Sequence, residues 1–216
     1  MEDRPLRIEE QDDGVVLLTL DRPDRRNALS AELRGLLAET LDALAVDDRC
    51  RAVVLAGAGS TFCAGFDLDE IRQADSLDDL FAEARAYHHA VHTFPKPLIA
   101  AVDGPAMAGG MDLALMCDLR VAGAGASFGQ PQVQSGIPAA HDLVRTVVSE
   151  PVARDLCLTG RVVDAAEGFR IGLVTRLIEG DSVVAEALAT AATIASSPTA
   201  GSAKYQFVAG QPNLFG

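Results

Sequence analysis

The chain predicts an α/β domain with largely buried strands and an aliphatic core. Short apolar runs at residues 15–20, 52–56, 98–102, 119–122 and 173–178 read as strands. Helical patterns alternate with them at 30–45, 77–94, 142–149, 152–158 and 182–195. Nearly half of the residues are hydrophobic but only 5% are aromatic, so Ala, Val, Leu and Ile must fill the interior.

Each element has a local reason. The first strand is Val, Leu and Thr, closed by the turn Asp21-Arg22-Pro23-Asp24. Ser30 caps the first helix, which carries Glu32 in its first turn and sets Leu33, Leu36, Leu37, Leu41 and Leu44 on one face. The strand at 52–56 runs into the small, pliant Gly57-Ala58-Gly59-Ser60. Pro95-Lys96-Pro97 stops the helix at 77–94 before the next strand, and 128–133 reads as a polar, extended loop.

The 216 residues suit one domain, expected to span 1–196, with a helical segment at 197–216 opened by Ser197-Pro198-Thr199. A net charge of −13 argues against nucleic acid or an anionic membrane as partner. An anionic ligand must then be held by local N–H groups and a few cationic side chains. No apolar run reaches membrane-spanning length, and the charged residues 1–10 do not resemble a signal peptide. Cys50, Cys63, Cys117 and Cys157 are scattered without a Cys-x-x-Cys pair, which fits free thiols in a reducing cytoplasm better than zinc or disulfides.

The chemistry concentrates in Asp103-Gly104-Pro105-Ala106-Met107-Ala108-Gly109-Gly110-Met111-Asp112, between an apolar strand and an apolar helix. A glycine pair that ends a loop and opens a helix leaves bare N–H groups aimed forward. Asp112 falls in the first turn of that helix. An anion-stabilising backbone beside a carboxylate suits reactions that pass through an enolate or oxyanion.

Further motifs stand in order around this one: Arg22-Pro23 with Asn27-Ala28-Leu29, Phe62-Cys63-Ala64-Gly65-Phe66-Asp67-Leu68, and Ser127-Phe128-Gly129-Gln130-Pro131. Leu158-Thr159-Gly160-Arg161 and Gly172-Leu173-Val174 follow. Together they resemble the crotonase superfamily, the enoyl-CoA hydratase/isomerase family, over residues 15–178. The resemblance implies a spiral of strand–strand–helix repeats, here with a shortened C-terminal helical region, binding an acyl-CoA thioester as a homotrimer or dimer of trimers. The thioester is the substrate, and no cofactor or metal is implied. The thioester carbonyl would sit between the backbone N–H groups of Phe66 and Gly109. The CoA channel would run along Arg25, Arg26 and Ala28, with Ala64, Phe66, Asp67 and Leu68 lining the adenine and pantetheine path.

The chain departs from the family pattern at the proton-transfer positions. Hydratases of the family carry two glutamates where this chain has Asp112 and Gln132. Asp112 keeps a carboxylate, one methylene shorter. Gln132 neither takes up nor gives a proton near neutral pH. Efficient hydration is therefore not expected, and a non-catalytic acyl-CoA-binding protein is the alternative. A further aspartate used by isomerases and dehalogenases of the family falls on Ala140, so the adjacent His141 and Asp142 are candidates for an extra acid or base. His88, His89 and His92 lie on one predicted helix; His88 and His92 would share a face, but no acidic or cysteine partner completes a metal site.

Overall fold

The computed structural model describes residues 4–179, 182–212 and 214. The chain enters through β1 (Leu6–Glu10) and β2 (Val15–Leu20), an antiparallel pair. It continues through α1 (Ala31–Val46), β3 (Ala52–Gly57), α2 (Leu68–Gln73), α3 (Leu77–Glu83) and α4 (Arg85–His92). Then follow β4 (Leu98–Val102), β5 (Pro105–Met107), α5 (Gly109–Met116), β6 (Leu119–Gly123) and β7 (Ser127–Gly129). A 3-10 turn (Pro131–Ser135), α6 (His141–Val147), α7 (Glu150–Thr159), β8 (Val162–Asp164) and α8 (Ala165–Arg170) lead to β9 (Arg176–Ile178), α9 (Val183–Ala195) and α10 (Ala200–Gly210).

Two sheets organise the fold. The larger has the order β1-β2-β3-β4-β6-β9 and is parallel from β2 onward; the smaller is β5-β7-β8. Each turn of the chain contributes a strand to the first sheet, an extended segment to the second, and then helix. Thus β4 leads to β5 and α5, and β6 leads to β7 and α6. After β3, the segment around Cys63 plays the part of β5, bridging in parallel to Ala106. This is the strand–strand–helix spiral expected from the motifs.

The core follows from the strand faces. Leu18, Leu20, Val53, Leu55, Ala100 and Val102 point to one side and pack with Leu33, Leu37 and Leu41 of α1 and Tyr87 and Val91 of α4. Leu17, Val54, Ala101 and Val121 point to the other, where Val183, Ala187 and Ala191 of α9 cover them. Alternate residues of buried parallel strands must find apolar cover on both faces, and they do. Lys204 of α10 is only 2% exposed; its ammonium donates to Asp118 at 2.7 Å, and Asp118 also accepts from the Leu98 N–H at 2.8 Å.

Several expected elements differ. The single helix at 77–94 is two helices, α3 and α4, meeting at Ala84, and a further helix, α2, precedes them. The glycine pair opens its helix as expected, α5 beginning at Gly109. The loop expected at 128–133 is instead the end of β7, a short link and the 3-10 turn opened by Pro131. The last strand keeps only Arg176–Ile178, while Leu173 and Val174 enter the core as loop. The short β1, β5, β8 and α8 escaped prediction, because elements of three to six residues hold too little periodicity to read.

Candidate active site

The spiral lays four extended segments side by side: Leu29, Cys63 to Phe66, Ala106 to Ala108, and β7. Cys63 N donates to Pro105 O at 3.2 Å, Met107 N to Cys63 O at 2.9 Å, and Ala108 N to Gly129 O at 2.8 Å. On the far side Leu29 N donates to Gly65 O at 2.8 Å and Asp67 N to Leu29 O at 3.3 Å. With the Gly65 carbonyl and the Asp67 N–H both engaged by Leu29, the Phe66 N–H, trans to that carbonyl, points away from Leu29.

Two features aim the second amide. Gly65 has φ +95°, where a side chain would be strained and its Cβ would lie 3.1 Å from the Gly109 nitrogen. Ala108 stands at φ 50° and ψ −126°, a strained conformation for a residue with a Cβ, and delivers Gly109 as the first residue of α5. The Gly109 N–H has no partner within its helix. Close packing of α5 on the Cys63 segment requires Gly110, where an added Cβ would meet Cys63 O at 2.1 Å.

A Cβ on Gly109 would lie 3.6 Å from the Phe66 nitrogen. That Cβ is about 2.5 Å from its own nitrogen, so the Phe66 and Gly109 nitrogens are within about 6 Å. Donors each about 2.9 Å from one oxygen stand at most about 5.8 Å apart, close to the largest separation this geometry allows the two nitrogens. Neither N–H donates to another group among the described residues.

Phe66 is held by a buried arginine that sequence reasoning missed. Arg34, on the apolar face of α1, is 3% exposed. It donates to Leu29 O at 2.7 Å and Glu70 Oε2 at 3.1 Å, and its guanidinium stacks 4.8 Å from the Phe66 ring centre. Phe81 packs edge-on against the same ring, and His88 stands 6.0 Å from it. Burial first, then the Arg34 charge, push the His88 imidazole down to about 4, so it is neutral at physiological pH. His92, four residues on, lines a separate cavity of about 320 Å³ with Asp118 and Arg120.

Asp112 lies one turn into α5 with Gln130 beside it. Gln130 is fully buried; its Nε2 donates to Asp112 Oδ1 at 2.7 Å, and its Oε1 accepts from Gln132 Nε2 at 2.5 Å. The far oxygen of Gln132, Oε1, is buried without a partner among the described residues. Part of Asp112 remains accessible, yet burial pushes its carboxyl up to about 7 against the opposing pull of the Gln130 N–H. Gln130 lies between β7 and the turn opened by Pro131, and no local feature of the sequence marks it as buried against Asp112.

A mostly apolar cavity of about 610 Å³ is lined by Val133, the residue after Gln132, with Ile137, Pro138, Ala139, His141, Cys157 and Leu158 among others. Burial, and next the charge of Asp112, raise the Cys157 thiol to about 11, which ties the cavity wall electrostatically to the carboxylate. His141 lines the cavity, with Glu150 at 3.7 Å. Asp142 is 75% exposed and pairs with Arg145.

The CoA-channel candidates separate into two groups. Asp67 is buried and caps α2 through the Asp69 N–H, with Arg22 at 3.0 Å and Arg25 at 3.2 Å. Burial opposes its charge, but the Asp69 N–H and the two guanidiniums outweigh that and hold its carboxyl below the usual range. Arg25 also bonds Asp69. Arg26 is exposed at φ 51°, with no side-chain partner among the described residues. Ala28 is buried, Ala64 half-buried, and Leu68 is 62% exposed. Among the described residues, no group of three His, Cys, Asp or Glu could hold a metal ion, and no helix is long and apolar enough to cross a membrane.

The family model for enoyl-CoA hydratase/isomerase matches residues 10–209. The chain belongs to the enoyl-CoA hydratase/isomerase family. A Rhizobium meliloti protein described as a probable enoyl-CoA hydratase is 41% identical over 185 residues, 84% of this chain and 72% of that protein. The 2,3-dehydroadipyl-CoA hydratase of Escherichia coli is 37% identical over 184 residues, 84% of this chain and 72% of its own. Among solved structures, an enoyl-CoA hydratase of Mycobacterium smegmatis superposes with a TM-score of 0.89 at 35% identity, covering 94% of this chain and 82% of that one.

Proposed function

We propose that the protein acts on an acyl-CoA thioester through an enolate, with Phe66 and Gly109 N–H groups holding the thioester oxygen. The reading rests on one observation above all: two amides from separate loops, neither donating to another group among the described residues, stand within about 6 Å of each other, and Asp112 lies one turn into the helix that Gly109 opens. Backbone donors fixed in advance stabilise developing negative charge without reorganisation, and losing one costs about 3 kcal/mol of barrier.

Asp112 moves the proton. Its carboxyl near 7 suits abstraction from the carbon next to the thioester at neutral pH. Gln132 orients water or a hydroxyl but transfers no proton, so double-bond isomerisation or a lyase step fits better than rapid hydration. The acyl chain extends past Gln132 into the 610 Å³ cavity. Arg26, with Arg25 in a lesser role because Asp67 and Asp69 already engage it, meets the CoA phosphates. The exposed Leu158, Val162 and Phe169 supply apolar area for a homotrimer, and the free thiols suit a reducing cytoplasm.

The test is Asp112→Asn, assayed for turnover on a panel of enoyl thioesters and for affinity by calorimetry. Lost turnover with retained affinity is expected; unchanged turnover removes Asp112 from the mechanism. Gln132 also favours a second reading, an acyl-CoA-binding protein without turnover. Tight binding with no product by mass spectrometry selects it.

A further inference from the structure

We propose that Asp112, Gln130 and Gln132 form one relay, in which the proton on Asp112 decides which end of the Gln132 amide faces the ligand. The inference rests on the reading of Asp112 as the proton-moving group, and it turns the glutamine at 132 from a lost catalyst into a responsive one.

The argument is one of donors and acceptors. An ionised carboxylate only accepts, so it must take an N–H from Gln130, as it does at 2.7 Å. Gln130 then has only its carbonyl oxygen to offer onward, and Gln132 supplies the matching N–H at 2.5 Å. Gln132 is left presenting a carbonyl oxygen, Oε1, buried and without a donor among the described residues. While Asp112 is charged, no other arrangement satisfies the chain. An orphaned buried acceptor is costly, and a ligand hydroxyl or water that donates to it removes the cost.

Protonation at Oδ1, the carboxyl oxygen that faces Gln130, reverses the sequence. The new O–H of Asp112 donates to Gln130 Oε1, Gln130 turns its N–H toward Gln132 Oε1, and Gln132 offers an N–H outward. The O–H bond forms with a proton taken from the ligand's carbon or from water. Both amides rotate by half a turn, and no other covalent bond changes. Gln132 thus presents an acceptor before proton abstraction and a donor after it.

The surroundings leave Asp112 to titrate alone. Cys63 on the neighbouring segment, Tyr87 on α4 and Cys157 on α7 all feel its charge. Burial keeps Cys63 at about 12, Cys157 at about 11 and the Tyr87 hydroxyl well above its ordinary value. His88 on α4 is already neutral near pH 7. On α6, His141, Asp142 and Arg145 pair with one another or with Glu150.

The test uses the ligand-free protein first. Carbon-13 NMR of Asp112 and nitrogen-15 NMR of the Gln132 side-chain amide are followed across pH in the wild type, Gln130→Leu and Gln130→Met. The wild type is expected to give one shared midpoint near 7 for both signals. In the variants Asp112 still titrates, which reports a folded site, but at a higher pH, and Gln132 no longer follows. A Gln132 signal that ignores the Asp112 midpoint in the wild type, or follows it equally in the variants, overturns the relay.

Calorimetry supplies the ligand arm, comparing 3-oxobutyryl-CoA, whose ketone only accepts, with butyryl-CoA. Preference for the ketone is expected to be about fivefold, one hydrogen bond's worth, below the midpoint, where Gln132 offers an N–H, and to vanish above it. A pH-independent preference overturns the ligand-facing step. If neither thioester binds while the NMR coupling holds, the relay stands and the acyl-CoA reading falls.

Discussion

The two halves of the site are built from different materials. The half around Phe66 and Gly109 is backbone, aimed by Gly65, by the strained Ala108 and by the tight seat of Gly110 on Cys63. The half around Asp112 is side chain, one carboxylate and two amides in series. Main-chain donors survive almost any substitution that keeps the loop's shape. Acid–base power changes with a single residue. We therefore propose that this chain holds an oxyanion with its main chain and moves a proton with its side chains.

The largest expected effect breaks the side-chain half. Asp112→Asn should lower turnover by about 10²- to 10⁴-fold in a steady-state assay, with thioester affinity little changed. A comparable loss of affinity would mean that Asp112 shapes the pocket instead of moving a proton. The backbone half is broken next. Gly110→Ala drives a methyl against Cys63 O, and a displaced α5 should cost about 10²- to 10³-fold in turnover together with thermal stability. Full activity in that variant would mean that the seating of α5 does not control the Gly109 amide.

Gln132→Glu sharpens the comparison in the other direction. Restoring a second carboxylate should raise hydration of a short enoyl thioester by up to about 10²-fold, read as loss of the conjugated absorbance. No gain would place the limit on hydration elsewhere. The smallest effect is on stability. The carboxyl of Asp112 is raised when folded, so the folded chain binds its proton more tightly than the unfolded one. Its ionisation destabilises the fold increasingly from about pH 4 to about pH 7 and by a constant amount above. Asp112→Asn should therefore be more stable than the wild type at pH 8, by up to about 4 kcal/mol, and nearly equal at pH 4. Denaturant melts at the two pH values check the sign; equal differences at both would place the strain outside the carboxyl group.

The same division decided what could be read from the sequence. Loops that aim backbone amides leave glycines at fixed spacing, so Gly65, Gly109 and Gly110 were legible, and with them the strand–helix alternation that carries the loops. Asp112 and Gln132 stood out in the sequence because a carboxylate and an amide differ visibly in chemistry. Gln130 and Arg34 were not. Their importance lies in what they touch across 18 and 36 residues of chain, Asp112 and Glu70 respectively, and no local pattern announces such a contact. Arg34 also interrupts an apolar helix face, which reads in sequence as an ordinary amphipathic edge. The break between α3 and α4 was hidden for a similar reason, since Ala84 favours helix and its turn is set by packing.

The oxyanion claim is tested most directly by isotope-edited infrared spectroscopy of a bound thioester carrying a carbon-13 carbonyl. Two amides on one oxygen should weaken the C=O bond, so its stretch is expected to fall clearly below its value in water, and to recover in Gly110→Ala. A bound carbonyl that vibrates at its solution frequency would contradict the account.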